Sequence, residues 1–356
     1  MLYGIIGLPG PLTSWCREVV ASILKTSGIS AHKAHIPSGL GDLSKELLLR
    51  DASHLVFSVS RPDTRFADVL LQTKKPLIYA QTDPKRSFLH LTNSGKMDPR
   101  TAVRSLSGDC SCISKFIGAE NVVQVTESAV RQHPDSVVKA IAKAHGVALS
   151  EPAVQQIIQA LAALAGQVSL PENGGNDPTA AIQSKFPEGI ARCATFLLGG
   201  FEGHLDAKPD TPLIATKELF LVGDKPEDHV DAPLDMTGRP RFIVFGPYIH
   251  IPVGTWLVRL VVSFSEEALG IPAVVDIGAS DERGFRELSR THIIASTAGR
   301  TDISLSFQND NPLASLQVRL ATEKSVFDGL IAIGFAEFRR KVAETDEELE
   351  VLLPET

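Results

Sequence analysis

Residues 2–28 read LYGIIGLPGPLTSWCREVVASILKTSG, and this stretch decides the fold of the first half of the chain. Leu2–Leu8 is an almost wholly apolar segment, which predicts a short buried strand. The Pro- and Gly-rich loop that follows cannot continue that strand. From Thr13 or Ser14, apolar residues recur at a spacing of four until Gly28, which predicts a helix. A strand, a tight loop and a helix form the opening of a βα unit.

The beginning of this predicted helix is suited to hold an anion. Its first N–H groups have no intrahelical partner, and the helix dipole places positive potential there. The hydroxyls of Thr13 and Ser14 add donors, so the sequence predicts a phosphate or sulfate site. The alternative is that Thr13 or Ser14 only caps the helix. The loop contains no GxxxxGK[ST] pattern and no lysine, so it is not a Walker A motif.

Length and composition indicate a globular protein of about two domains. The chain has 356 residues, of which 43% are hydrophobic and 22% charged. A formal net charge of −7 argues against general binding to nucleic acid or to an anionic membrane. We expect no signal peptide, because no basic segment precedes the first apolar stretch, and no membrane span, because no apolar run is long enough.

The four cysteines point to a reducing environment. Cys16, Cys110, Cys112 and Cys193 do not have the spacing of a zinc site, so we expect no metal. Cys16 and Cys193 fall in apolar helical patterns, which predicts buried thiols. The sequence therefore predicts a bacterial-type cytoplasmic protein without structural disulfides.

Segments predicted as strands alternate with predicted helices through residue 166. This order predicts a doubly wound, mainly parallel sheet with right-handed crossovers as the first domain, residues 1–166. Ligands of such sheets bind beyond the carboxyl ends of the strands. Two loops are expected at that edge, residues 9–14 and 82–86, and the second contributes Lys85 and Arg86. The alternative is that these two basic residues form a solvated first helical turn.

Residues 8–15, LPGPLTSW, resemble the donor-binding loop of the P-loop sulfotransferases. In that family a loop of the type P-K-[ST]-G-[ST]-T-W cradles the 5′-phosphosulfate of 3′-phosphoadenosine-5′-phosphosulfate. The residues that fit the pattern are Pro9, Thr13, Ser14 and Trp15. Gly10 stands where the family has lysine, and Leu12 stands where it has glycine. The resemblance extends as far as the end of the helix predicted to finish at Gly166.

A second part of the resemblance is the turn at residues 82–86, TDPKR, which matches the family's R-D-P-R-D. Thr82 replaces the arginine of that motif, and His90 replaces the serine that follows it in the family. The resemblance implies 3′-phosphoadenosine-5′-phosphosulfate as cofactor, held by Gly10, Thr13 and Ser14 in the loop and by Lys85 and Arg86 in the turn. It names no catalytic base. Because the loop lysine is missing, the alternative is that the first domain is non-catalytic.

The second half of the chain changes in character. Residues 167–236 are rich in Gly, Pro and Asp, which predicts a connector with one helix, from Asp177 to Leu198, interrupted at Pro187 and ended by Gly199-Gly200, and one short strand at 218–222. Strand-like runs then follow one another over residues 237–341, which predicts an antiparallel, jelly-roll-like β-sandwich. Residues 342–356 are predicted as an acidic tail.

Residues 245–256, FGPYIHIPVGTW, resemble the entry into carbohydrate-binding-like β-sandwiches. The resemblance implies that Tyr248 stacks on a sugar ring and that Arg239 or Arg241 bonds the hydroxyls or acidic groups of that sugar. The alternative is that Pro and Gly shape a turn. Trp256 lies in phase with an apolar face, which predicts a core position.

These patterns lead to three hypotheses about the function of the chain. The first is a sulfotransferase-related protein that acts on, or recognises, a polysaccharide or glycoconjugate. The second is a non-catalytic carbohydrate-binding or assembly protein with a degenerate nucleotide site. Nucleotide binding or phosphoryl transfer is a weaker third, because Walker A is absent and no clear Walker B aspartate follows a strand.

Overall fold

A computed structural model describes residues 1–50, 53–93, 95, 97–169 and 177–341. Its first half is built on five parallel strands in the order β2-β3-β1-β4-β5. These strands are β1 (Leu2–Gly7), β2 (His32–His35), β3 (Leu55–Val59), β4 (Leu77–Gln81) and β5 (Val122–Thr126). The predicted doubly wound parallel sheet is therefore confirmed.

Helices cover both faces of this sheet. They are α1 (Pro11–Thr26), α2 (Leu40–Arg50), α3 (Thr64–Gln72), α4 (Pro84–Asn93), α5 (Pro99–Ile113), α6 (Glu127–Gln132), α7 (Pro134–Ala144), α8 (Glu151–Ala160) and α9 (Ala162–Ser169). Alternate residues of β1 serve two separate apolar clusters. Tyr3 and Ile5 pack with α1, α7 and α8, whereas Ile6 packs with α3, α4 and α5. Because both faces are covered, the inner strands β1, β3 and β4 are nearly continuous apolar runs, whereas the edge strand β2 is polar.

Helix α1 begins earlier than the sequence predicted. Pro11 occupies its first turn after Gly10 at the N-cap, and no side chain caps the helix. Neither Thr13 nor Ser14 is the cap, because the hydroxyl of Thr13 donates instead to the carbonyl of Leu8 at 2.7 Å. Gly7 permits this close approach, since a Cβ there would lie 2.6 Å from Thr13 Oγ1.

The second half contains two antiparallel sheets packed as a sandwich, as predicted. Its strands are β6 (Leu213–Thr216), β7 (Leu221–Val222), β8 (Lys225–His229), β9 (Leu234–Asp235), β10 (Phe242–Ile249), β11 (Gly254–Phe264), β12 (Pro272–Asp281), β13 (Gly284–Ile294), β14 (Gly299–Asn309), β15 (Ser315–Thr322) and β16 (Leu330–Arg340). One sheet has the order β13-β12-β15-β10-β7-β8, and the other β14-β11-β16-β6, with β9 also paired to β16. Trp256 is fully buried between them, as its apolar phase predicted.

The segment predicted as an irregular connector contributes strands to the sandwich. β6 pairs with β16, and β7 and β8 extend the sheet beyond β10, so the sandwich begins at Leu213 rather than at 237. The short strand predicted at 218–222 is a 3₁₀ turn at Lys217–Leu219 followed by β7. Edge strands this short have too few residues to show an alternating pattern. Residues 170–176 of the predicted connector and the predicted tail at 342–356 lie outside the described residues.

The predicted connector also holds two helices, α10 (Pro178–Lys185) and α11 (Glu188–Leu205). Gly199-Gly200 does not end the second helix, contrary to the prediction. A Cβ on Gly200 would lie 2.5 Å from the carbonyl oxygen of Pro212, and a Cβ on Gly203 would lie 2.3 Å from Thr211 Oγ1. These glycines therefore let the chain leading into β6 pack directly on α11, and tertiary packing overrides their helix-ending tendency.

The two halves share one apolar core. A single cluster of buried side chains runs from Ile6 and Phe57 in the parallel sheet through α11 to Trp256 and Phe338 in the sandwich. Hydrogen bonds cross the same boundary, because the amide of His250 donates to Ser107 Oγ of α5 at 3.0 Å. The sandwich is thus packed on the α/β unit.

Candidate functional site

A small cleft lies at the carboxyl edge of the parallel sheet, where β1 and β4 are neighbours. Helix α1 leaves β1 toward one face of the sheet and α4 leaves β4 toward the other, so their first turns border a crevice. The cleft has a volume of about 30 Å³, more than a single water molecule needs, and it is open to solvent. Its walls come from the loop before α1, the first turns of α4 and α6, the end of α9 and helix α10.

Two buried hydroxyls in this cleft have no hydrogen-bond partner among the described residues. They belong to Thr82, which follows β4, and Ser87, in the first turns of α4. Ser87 Oγ faces the N-cap of α1, since it would lie 4.0 Å from a Cβ on Gly10. A buried hydroxyl without a partner is unfavourable by about 1–3 kcal/mol, which makes this pair a place for a ligand that accepts hydrogen bonds.

The charged side chains of the cleft nearly cancel. Arg86 Nε lies 3.2 Å from Glu127 Oε2, and both residues line the cleft. Burial raises the pKa of Glu127, and the Arg86 guanidinium opposes that rise. The positive potential that favours an anion therefore comes mainly from the uncapped end of α1 and not from a surplus of basic side chains.

Lys85 lies outside the cleft. Its buried ammonium group donates to Glu202 of α11 and lies 3.7 Å from Asp83 Oδ2. Burial raises the pKa of Asp83, and Lys85 counteracts this. The buried lysine therefore joins α4 to α11 by an ion pair with the partly exposed Glu202.

The structure brings together part of the predicted donor site. Gly10 and Arg86 line the cleft, whereas Thr13, Ser14 and Lys85 do not. Ser87 was not among the predicted residues, although it lies one helical turn after Asp83-Pro84 on a helix whose start was predicted. Its position beside Gly10 depends on the pairing of β1 with β4, which no local pattern in the sequence reveals.

The residues of the cleft fit only part of the donor nucleotide that the sulfotransferase resemblance implies. The orphaned hydroxyls of Thr82 and Ser87, with the uncapped end of α1, fit one phosphate or sulfate group. The cleft, with a volume of about 30 Å³, does not accommodate the nucleoside as well, so a nucleoside would lie outside it. Val168 of α9 and Ala181 of α10 are among the residues that close the cleft.

The residue predicted to stack on a sugar, Tyr248, lies between the two halves of the chain. It is half-buried, has a φ of 61°, and follows a cis Gly246–Pro247 peptide bond. The guanidinium carbon of Arg104 lies 5.6 Å from the centre of its ring, and the ring of Phe245 lies edge-on at 6.0 Å. Burial raises the pKa of Tyr248.

The two arginines predicted to act with Tyr248 are placed elsewhere. Arg239 is exposed, and Arg241 stands just before β10, about 20 Å along the strand from Tyr248. The Arg241 guanidinium donates to the carbonyls of Thr237 at 2.7 Å and Asp235 at 2.9 Å. The structure therefore does not bring these three residues together.

The sequence did not predict a cluster of aromatic and charged side chains on the outer face of the six-stranded sheet. The guanidinium carbon of Arg319 lies 3.8 Å from the ring centre of Phe285 and 4.8 Å from that of Phe242. Both phenylalanines are 42% exposed, and Asp276 pairs with Arg319 at 2.6 Å. Gly278 makes room for the Phe285 ring, which lies 1.9 Å from where a Cβ would be. The alternation of β15 places Arg319 outward, but its partners on β10, β12 and β13 follow from strand pairing.

Within the described residues, no group of three or more His, Cys, Asp or Glu side chains is arranged to hold a metal ion. No helix in the same part of the chain is long and apolar enough to cross a membrane. All four cysteines are buried and unpaired, and burial raises the pKa of the Cys112 thiol to about 12.

No protein-family model matches the chain, and no curated protein matches it either. Solved structures do. The N-terminal part is similar to mouse sulfotransferase SULT7A1 complexed with PAP, with 11% identity, a TM-score of 0.37, and coverage of 54% of this chain and 86% of the other. It is also similar to retinol dehydratase in complex with androsterone and inactive cofactor PAP, with 12% identity, a TM-score of 0.36, and coverage of 54% and 78%.

The sandwich is similar to carbohydrate-binding modules. One is TmCBM61 in complex with beta-1,4-galactotriose, with 7% identity, a TM-score of 0.23, and coverage of 37% of this chain and 90% of the other. Another is CBM6cm-2 from Cellvibrio mixtus lichenase 5A in complex with cellotriose, with 13% identity, a TM-score of 0.20, and coverage of 32% and 76%. At TM-scores below 0.5, these likenesses by themselves assign neither a site nor an activity to the chain.

Proposed function

We propose that this chain is a sulfotransferase-related protein that recognises a polysaccharide or glycoconjugate, with an anion site at the start of α1. The pair of buried, unpartnered hydroxyls on Thr82 and Ser87 carries this proposal, because they face an uncapped helix end. The anion is a phosphate or sulfate group, in the first instance that of a 3′-phosphoadenosine-5′-phosphosulfate-type donor. Gly10 and Arg86 border the same space.

The glycan part of the proposal concerns the sandwich. Tyr248, Arg239 and Arg241 stay candidates for sugar contacts, and the exposed edges of Phe242 and Phe285 add apolar surface on the sheet face. Aromatic rings suit the C–H faces of sugars because they offer apolar contact area at low conformational cost. We further propose a cytoplasmic, bacterial-type setting, which the four unpaired cysteines support.

The test is calorimetric titration of the full chain with 3′-phosphoadenosine-5′-phosphate, inorganic sulfate and adenosine. We expect the first two to bind and adenosine to fail. The double variant Thr82→Val/Ser87→Ala should lose about tenfold or more in affinity for both anions. Ser111→Ala serves as the control, because its buried hydroxyl already donates to Ser107 at 2.7 Å and lies outside the cleft. No anion binding at about 10 mM would refute the anion site.

A second candidate function is a non-catalytic carbohydrate-binding or assembly protein. It is favoured by one specific observation: the basic residues of the turn are neutralised, Lys85 by Glu202 and Asp83, and Arg86 by Glu127. Transfer of a sulfuryl group requires positive charge on the oxygens where negative charge develops. Binding of sulfate without any turnover of the labelled donor, across a panel of sulfate-free glycans, would support this candidate.

A further inference from the structure

A larger cavity lies between the α/β unit and the sandwich. Its volume is about 590 Å³, within the range of about 300–1,000 Å³ typical of small-molecule sites. Residues of α3, of α5 and the turn after it, of α11, and of the loops at 252–253 and 310–312 line it. It shares no lining residue with the cleft at α1, so it is a separate site. Cavities at domain boundaries are frequent ligand sites.

The charges around this cavity leave one cation without a counter-charge. Lys115 is paired with Asp68, and Asp310 is held by both terminal nitrogens of Arg286, at 2.6 and 3.2 Å. Arg340 donates to the carbonyl oxygen of Val253 at 3.2 Å. Among the described residues, no carboxylate lies within ion-pair distance of Arg340. The cavity is therefore suited to a ligand with a single negative charge.

The imidazole of His204 is a buried polar group in this wall. Its Nε2 lies 2.9 Å from the carbonyl oxygen of Thr211, so Nε2 carries the proton, since a carbonyl only accepts. Burial lowers the pKa of His204, and the charge of Arg340 acts in the same direction, so the ring is neutral and Nδ1 is an acceptor. Nδ1 makes no hydrogen bond to any described residue. Packing on Trp256, with ring centres 5.7 Å apart, fixes the ring.

The remaining walls are largely apolar. Pro62, Pro209, Pro252 and Pro312 line the cavity together with Val253. Rigid apolar walls with few polar groups are typical of sites that hold a small molecule in one orientation.

We propose that this cavity binds a small hydroxylated carboxylic acid, whose carboxylate pairs with Arg340 and whose hydroxyl donates to Nδ1 of His204. A hexuronic acid has both groups on one rigid ring. The inference goes beyond the anion site at α1 and does not depend on it.

Three ring compounds test the proposal on the full chain by calorimetry. Glucuronate carries the carboxylate and hydroxyls, glucose lacks the carboxylate, and cyclohexanecarboxylate lacks the hydroxyls. We expect glucuronate to bind about tenfold or more tightly than glucose, and Arg340→Gln to remove that difference. Arg290→Gln is the matched control, because Arg290 is an exposed arginine of the sandwich outside the cavity. Val253→Trp, at the exposed rim, should block all binding.

His204→Phe tests the hydroxyl contact, since it keeps an aromatic ring against Trp256 but removes Nδ1. It should lower the affinity for glucuronate by about tenfold and leave that for cyclohexanecarboxylate nearly unchanged. Equal affinity of wild type and Arg340→Gln for glucuronate would overturn the proposal, as would failure of glucuronate to bind at about 10 mM. Neither outcome bears on the sulfate titration, so failure of one site is distinguishable from failure of the other.

Discussion

Arg86 Nε lies 3.2 Å from Glu127 Oε2 at the mouth of the cleft in front of α1. This pair brings a carboxylate into the cleft that is also lined by the unpartnered hydroxyls of Thr82 and Ser87. An anion in the cleft is therefore attracted by the end of α1 and by Arg86, but it is repelled by the negative charge of Glu127. The Glu127 carboxylate therefore limits the strength of anion binding, although the sequence shows Glu127 only as a residue at the start of a helix.

Neutralising this carboxylate should strengthen anion binding. In Glu127→Gln, we expect the affinity for inorganic sulfate to rise by about tenfold, because a like charge within a few ångströms opposes an anion by more than about 1 kcal/mol. Titration calorimetry at constant ionic strength measures the change. Glu120→Gln, at an exposed glutamate outside the cleft, should leave the affinity unchanged. A weaker affinity in Glu127→Gln would mean that Glu127 orients the site rather than opposing the anion.

Anion binding should also depend on pH through the same group. Burial raises the pKa of Glu127, so its carboxyl takes up a proton at a higher pH than an exposed glutamate does. Because the protonated form carries no charge, the affinity for sulfate should increase as the pH falls through that pKa. Affinities measured from neutral pH downward should show this increase in the wild type and not in Glu127→Gln, and it should begin above the range in which an exposed glutamate titrates. An identical pH profile in both proteins would exclude Glu127 as its source.

Removing the unpartnered hydroxyls of Thr82 and Ser87 should have opposite effects on the free energy of unfolding and on the affinity for anions. Without ligand, Ser87→Ala and Thr82→Val should leave the free energy of unfolding unchanged or raise it by up to about 1–3 kcal/mol, because each removes an unpaired buried polar group. Urea denaturation measures this. Ser111→Ala removes a buried hydroxyl that is bonded and should destabilise by about 1 kcal/mol. Marked destabilisation by Ser87→Ala would show that its hydroxyl has a structural partner.

Arg104 should be a strong determinant of the contact between the two halves. Its guanidinium donates to the carbonyls of Pro247 at 2.9 Å and Leu219 at 2.7 Å, and the residue is half-buried. Arg104→Met keeps the aliphatic stem but leaves both carbonyls unpaired, so we expect a loss of about 3 kcal/mol of stability. Thermal or urea unfolding measures it. Arg65→Met, at an exposed arginine of α3, is the control and should have little effect.

The shared apolar core predicts that the whole chain unfolds as one unit. The same buried cluster contains Phe57 of the parallel sheet and Trp256 of the sandwich, so each half forms part of its core with the other. Calorimetric and van't Hoff enthalpies of unfolding should agree for the full chain. The isolated segment 213–341 should bind a dye for exposed apolar surface and unfold without cooperativity. Two separate transitions in the full chain would contradict this prediction.

Several features of the fold could be predicted because their signals are local. The apolar run of β1 and the spacing of four in α1 report burial of a strand and of one helix face, and both elements formed, although α1 begins earlier than predicted. The strict alternation in β11 and β14 placed Trp256 in the core, where it is 0% exposed. Such periodicities depend only on the geometry of one element and on which of its faces meets water.

Other features depended on contacts between distant segments. Helix α11 continues through Gly200 because the chain near Pro212 packs directly against this glycine. The hydroxyl of Ser87 lies near Gly10 because β4 pairs with β1. The sequence predicted Lys85 as a ligand of the donor, but its buried ammonium group pairs with Glu202, more than a hundred residues later. The sequence by itself thus determined which elements form and which faces they bury, since periodicity and turn chemistry are local properties. Only the tertiary structure decided which side chains share a cleft, because partner choice for a buried charge or hydroxyl is settled by whatever segment packs against it.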